Sequence, residues 1–299
     1  MSAEPDHLPA RLWWLLAALT FAWGFNWTAM KVALSEIPPW SFRTLCLGLG
    51  SAVLFAVLRV GGQPLAVPRP QWGRLAVLAF FNITLWNVLI AFGLTMIASG
   101  RAAILAYTMP AWAIPLSVWL LGERITRQKA LGLALGMAGL VLLLRESFTQ
   151  LGEAPLGALL VLAASVCWAL GAVLQKRYPM AMPAGAYTAW IMLLGGVPIF
   201  VCALLFDDWR VLHGVGWRPA LALSYNVLVA FAFAHWAWIK IATAVPVTVF
   251  SLSMIVIPVV GVLSGMLFLG ERPSWLEYAA LLLVLGSLVT TVLPNRQLR

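Results

Sequence analysis

ILAYTMPAWAIPLSVWLLGER, residues 104–124, lies over LSMIVIPVVGVLSGMLFLGER, residues 252–272, at a constant offset of 148. Pro110 meets Pro258, and Gly122-Glu123-Arg124 meets Gly270-Glu271-Arg272. At an offset of 145, Trp23 meets Trp168 and Lys31 meets Lys176. A proline and a charged triplet locked to one register across apolar sequence mark a duplication. Each copy carries five apolar runs of spanning length. Five is odd, so the second copy enters a bilayer from the opposite side. That is the inverted-repeat arrangement of secondary transporters, which hold substrate near the midplane where the repeats meet.

Outward from that pair, the chain divides into ten runs long enough to span. A span needs roughly 17–25 mostly apolar residues. The runs are 11–33, 38–59, 73–94, 98–121, 127–144, 155–176, 184–206, 217–240, 244–269 and 274–293. The expected fold is all-α and integral to the membrane, with ten transmembrane helices as two inverted five-helix repeats around a central cavity. Residues 11–148 and 155–293 form the repeats, and 1–10 and 294–299 are tails. The N-terminal stretch lacks the charged start and cleavage site of a secretory signal, so the first run reads as a retained helix.

Composition agrees. Of 299 residues, 63% are hydrophobic and 10% charged, against about a quarter charged in soluble domains. Lipid must serve as solvent for most of such a chain. The ten acidic residues fall in tails, between apolar runs or, for Glu277, at the start of the last run, and none lies in the middle of one. The net charge of +9 reads as Lys and Arg at membrane edges, not as a nucleic-acid surface. With the N-terminus inside, inner segments hold twelve Lys and Arg and outer segments six, with Arg43 within a span. That bias places both termini in the cytoplasm. Cys46, Cys167 and Cys202 sit inside apolar runs and read as small core residues. No Walker loop, HExxH or GxSxG appears, so neither an enzyme nor a cofactor is expected.

The ten spans split five plus five, the GER triplets after spans four and nine, and the early Arg of span two (Pro38-Pro39, then Arg43) resemble the EamA family of the drug/metabolite transporter superfamily. Within it the chain is similar to YddG-type exporters of aromatic and other neutral amino acids. The resemblance covers 11–293. It implies a central cavity lined by spans 1, 3, 4, 6, 8 and 9, in an inner-membrane exporter working by alternating access. The second repeat departs from the Arg pattern: Trp190 falls near where a counterpart of Arg43 would map.

Span one places Trp23, Asn26, Trp27 and Met30 at i, i+3, i+4 and i+7, on one helical face. An amide offers a donor and an acceptor to a zwitterion, and an indole offers a ring face. The stripe reads as cavity lining, with helix packing glued by Asn as the other reading. Span six repeats the theme with Trp168, Gly171, Ala172 and Gln175. Span three contributes Asn82 and Trp86, span four Tyr107, span eight His235 and Trp236, and span nine Ser251. His235 either donates to a backbone carbonyl across a helix interface or serves substrate or proton. Arg43 either snorkels or attracts a carboxylate. Lys31 and Lys176 are span-end anchors or gating residues. Buried charges mark proton relays, and no span interior holds a carboxylate. Transport without a carboxylate relay is expected, with a proton-coupled multidrug/metabolite antiporter as the alternative. The partners expected are the bilayer and a small-molecule substrate. A monomer is expected, since one chain already contains both repeats.

Overall fold

The computed structural model describes residues 10–149, 154–244 and 247–292, and those residues are all-helical. Helix α1 is Ala10–Ala33 and α2 is Pro39–Val60. Pro39 begins α2 in the first turn, where its missing N–H has no helical partner to lose. A short 3₁₀ turn, Arg69–Gln71, leads into α3 (Trp72–Ala79), a π-helical stretch (Phe80–Leu85) and α4 (Trp86–Met96), which together form one rod. Helices α5 (Ser99–Ala106) and α6 (Met109–Leu121) form the next, offset at Tyr107-Thr108 just before Pro110.

Helices α7 (Arg127–Thr149), α8 (Ala154–Arg177) and α9 (Ala184–Phe206) follow. A rod then repeats the design of the third span: α10 (Trp217–Tyr225), a π-helical stretch (Asn226–Phe233) and α11 (Ala234–Ala244). Helices α12 (Val247–Leu269) and α13 (Trp275–Val292) complete the described chain. The glycine of each GER triplet stops its helix in the left-handed region, Gly122 at φ +68° and Gly270 at φ +66°. A Cβ would strain that conformation.

Among the described residues, seven helices are long and apolar enough to cross a membrane. They run Pro39–Val60, Arg69–Met96, Ser99–Leu121, Arg127–Glu146, Pro155–Arg177, Ala184–Phe206 and Trp217–Ile241. The other three expected spans coincide with helices α1, α12 and α13. Arg101, counted above with an outer connection, instead lies inside α5 and is 7% exposed.

Helix α1 packs on α12, α10 and α11, while α8 packs on α6 and α4. Helix α2 faces α9, and α7 faces α13. In lipid, helices associate through close packing and polar contacts. Gly132 and Gly136 let α7 approach Thr290 and Ser287 of α13, and Ser287 Oγ donates to the Gly132 carbonyl at 2.6 Å. Leu204, Leu205, Leu221 and Leu282 are exposed apolar side chains, a surface suited to acyl chains.

Candidate functional site

A cavity of about 280 Å³ opens between α6 and α8. Its wall includes Met109, Ala113, Ile114, Ser117 and Trp168, with Glu123 and Lys129 at its mouth. The lining is apolar apart from Ser117 and the mouth. Trp168 packs on Trp86 of α4, ring centroids 4.9 Å apart and tilted by 52°. Two expected site residues from different spans thus meet beside the cavity. Tyr107 is buried at the α5–α6 offset.

Trp23, the repeat partner of Trp168, stands in a matching aromatic cluster of the other half. It meets His235 edge-on at 5.7 Å and Trp238 at 5.3 Å. Its Nε1 donates to the Ala230 carbonyl at 3.1 Å. Ala230 belongs to the second π-helical stretch. A π turn disturbs the regular i→i−4 ladder and leaves carbonyls for side chains to take up.

The same need explains His235. Its Nδ1 lies 2.9 Å from the Phe231 carbonyl, which can only accept, so Nδ1 carries the hydrogen. At the repeat offset of 148, Phe231 maps to Ile83 and His235 to Asn87. Asn87 Nδ2 donates to the Ile83 carbonyl at 2.9 Å. Asn87 and His235 hold equivalent π-turn carbonyls in the two halves. The carbonyl that His235 meets lies four residues back on its own rod, not across a helix interface as expected.

Other expected residues are packed among helices. Trp27 is 5% exposed, and a Cβ at Gly261 would lie 3.2 Å from its ring; the indole fills the space that Gly261 leaves. Asn82 lies against Gly171, where a Cβ would fall 2.0 Å from Oδ1. Asn26 is partly buried, and its Oδ1 accepts no hydrogen bond. Trp236 packs on Phe233 at 6.1 Å. Gln175 is exposed and lines no part of this cavity. The side chain of Ser251 lies outside the described residues.

Arg43 is 2% exposed. Its Nε donates to the Asn87 carbonyl at 3.2 Å, Nη2 reaches Met30 Sδ at 3.0 Å, and the guanidinium lies over the Phe42 ring at 5.1 Å. Arg43 therefore ties α2 to α1 and α4. Lys31 Nζ donates to the carbonyls of Leu94, Thr95 and Ile97 at 2.6, 3.2 and 2.8 Å, capping the end of α4. Lys176 pairs with Glu123, which also receives Lys129 Nζ at 2.6 Å. These hydrogen bonds, Lys129 first, hold the Glu123 carboxyl below the ordinary carboxylate range.

Two carboxylate contacts were not legible in the sequence. Glu271 accepts the backbone N–H of Ser99 at 2.6 Å and of Gly100 at 3.0 Å, at the start of α5. Arg101, the next residue, donates from Nε to Glu277 Oε1 at 2.6 Å, and Glu146 Oε1 lies 3.4 Å from Nη2. An arginine three residues into a run of spanning length was the available signal, because such a charge needs a partner.

The chain matches the EamA-like transporter family twice, over residues 11–145 and 155–293. The protein belongs to that family of multi-pass membrane transporters, and it is not an enzyme. It is similar to the uncharacterized transporter YoaV of Bacillus subtilis, with 24% identity over 94% of this chain and 97% of that protein. It is also similar to a probable amino-acid metabolite efflux pump of Escherichia coli, with 25% identity over 94% of this chain and 95% of that protein. A solved crystal structure shares the fold at a TM-score of 0.65 and 21% identity, covering 94% of this chain and 96% of that one.

Proposed function

We propose that the protein exports neutral, largely aromatic or hydrophobic amino acids and related metabolites by alternating access. Its ten spans are two inverted five-helix repeats, with both termini cytoplasmic in the inner membrane, and it works as a monomer. The observation that carries the reading is the cavity beside Trp168 and Trp86: an apolar wall backed by two indoles in tilted contact, with charge only at its mouth. Such a site rewards ring surface and discriminates weakly by charge. The likeness to a probable amino-acid metabolite efflux pump points the same way.

The repeat geometry supports alternation. Contacts in one half recur with the halves exchanged: α1 on α12 as α8 on α6, and α1 on α11 as α8 on α4. The cavity-lining residues Ala113, Ile114 and Ser117 map at the 148 offset onto Gly261, Val262 and Gly265. Those three lie tight against Trp27, Gly100 and Ser99. Ala113 and Ser117 are part-exposed whereas Gly261 and Gly265 are buried, an asymmetry that fits a transporter in one access state.

The test is counterflow in proteoliposomes preloaded with unlabelled Phe, Leu, Thr or Glu against labelled Phe. Exchange by Phe and Leu and weak exchange by Glu are expected. Labelled Phe that never enters above protein-free liposomes would remove this reading.

A further inference from the structure

The two GER glutamates sit at opposite ends of one rod. Glu271 holds the start of α5 at Ser99, and Glu123 follows the end of α6 at Leu121. The 23 residues between those ends span about 35 Å at ~1.5 Å per residue.

Each glutamate has a lysine at its own end, and the lysines too are repeat counterparts. At the shut end, Lys31 and Glu271 do not pair directly. Both grip the turn between α4 and α5, Lys31 from its carbonyl side and Glu271 from its amide side. A cation on a helix C-terminus and an anion on the next N-terminus both complement the helix dipoles. The fit is close: a Cβ at Gly265 would fall 2.3 Å from Glu271 Oε2 and 2.7 Å from Ser99 Oγ. At the open end, Lys176 and Glu123 instead pair with each other, and Lys129 holds the second carboxylate oxygen. The repeat counterparts of Ser99 and Gly100 are Val247 and Thr248, the first residues of α12.

We infer that Glu271 and Glu123 are reciprocal gate latches: each in turn closes its own end by capping the start of α5 or of α12, while the other is parked on its lysine. In the opposite access state Glu123 leaves Lys129 and Lys176 and accepts the amides of Val247 and Thr248. Lys176 then caps the end of α11, and Glu271 is released to Lys31. The halves are unequal in one respect. Lys129, which parks Glu123, corresponds to Glu277, which cannot park Glu271 and instead holds Arg101. The end closed by Glu271 therefore carries an extra tie, and the state seen here is the resting one.

The inference rests on the alternating-access reading but not on the substrate. The test uses the full chain with Cys46, Cys167 and Cys202 replaced, in proteoliposomes, and a small maleimide. Ala113→Cys, part-exposed in the cavity, reports the open end, and the buried Val262→Cys reports the shut end. Ala113→Cys is expected to react faster.

Glu271→Gln removes the latch charge. Ser99→Pro removes one latch donor at a first-turn position that tolerates proline. Each should raise the ratio of Val262→Cys to Ala113→Cys labelling about tenfold, the size of ~1.4 kcal/mol, just under the range for a hydrogen bond to a charged group. Lys129→Gln removes the tie that parks Glu123 in this state and should raise that ratio as well. Ratios unmoved by both Glu271→Gln and Ser99→Pro, or both cysteines gaining reactivity together, would overturn the latch. Counterflow on the same cysteine-free parent separates the two readings. Flux with an unmoved ratio defeats the latch alone, and a moved ratio without amino-acid flux defeats the substrate assignment alone.

Discussion

Arg101 and Glu277 are 176 residues apart in sequence and form a buried ion pair, Nε to Oε1 at 2.6 Å. Glu146 of α7 completes a cluster joining α5, α7 and α13. Charge removed from water at this depth is stable only while paired. Arg101→Met leaves the buried Glu277 without its arginine and should destabilise the protein by roughly 3–5 kcal/mol. Glu277→Gln leaves Arg101 with Glu146 and should cost less. Thermal unfolding of the two detergent-solubilised variants checks the order; equal losses would show that Glu146 contributes nothing.

Gly265 gives a second prediction. With so little room beside Glu271 and Ser99, a methyl at this position must push the carboxylate off the α5 start. Gly265→Ala should shift cysteine labelling in the same direction as Glu271→Gln. Gly73→Ala has nothing within 4 Å of its new Cβ and should change nothing. A silent Gly265→Ala would mean that the close approach is not needed for closure.

The pH dependence follows from Glu123. Lys129 and Lys176 lower its folded pKa below the ordinary value of 4.5. A depressed carboxylate contributes stability above its unfolded pKa and loses it as pH falls through the folded one. The stability difference between the native protein and Glu123→Gln should therefore be flat from about pH 6 to 8. It should shrink only below pH 4.5 and vanish once pH passes the folded value. Melting curves across that range test the sign.

With Glu123 ionised throughout the neutral range, this site offers no proton to exchange at working pH. Counterflow of labelled Phe should be unchanged by an imposed pH gradient. Accumulation of substrate against its own gradient, driven by protons, would instead support the proton-coupled antiporter reading and direct attention to Glu277 and His235.

The helices were legible because lipid demands long apolar runs, and seven of the ten expected spans meet that demand by length and composition alone. The π-helical stretches were not, since hydrogen-bond register leaves no mark on composition. Without them nothing in the sequence indicated that the His235 ring meets the Phe231 carbonyl of the π-helical stretch on its own rod. The helical stripe of Trp23, Asn26 and Trp27 correctly put three residues on one face. It carried no information about what lies opposite, and Gly261, more than two hundred residues away, takes the Trp27 ring. Arg101 was misplaced for the same reason: its partners Glu146 and Glu277 are distant in sequence, and only the folded chain shows them.

Trp168 and Trp86 support the last prediction. Their rings meet at a tilt of 52° beside the cavity, and Trp168 also forms part of its wall. An aromatic substrate in that cavity can meet Trp168 in offset or edge-to-face geometry, which adds about 0.5–1.5 kcal/mol per contact beyond burial. Losing one such contact weakens recognition by roughly 2- to 13-fold at ~1.4 kcal/mol per decade. Trp168→Ala should thus depress exchange of Phe, Tyr and Trp more than that of Thr or Ala. Trp86→Ala should do the same more weakly, because Trp86 acts by backing Trp168. Trp23→Ala, whose indole is committed to the Ala230 carbonyl and the His235 ring, should lower all fluxes by one factor. The measurement is counterflow of several amino acids by each variant, normalised to protein in the membrane. A uniform factor for Trp168→Ala would make that indole a packing residue and remove the aromatic preference from the proposed function.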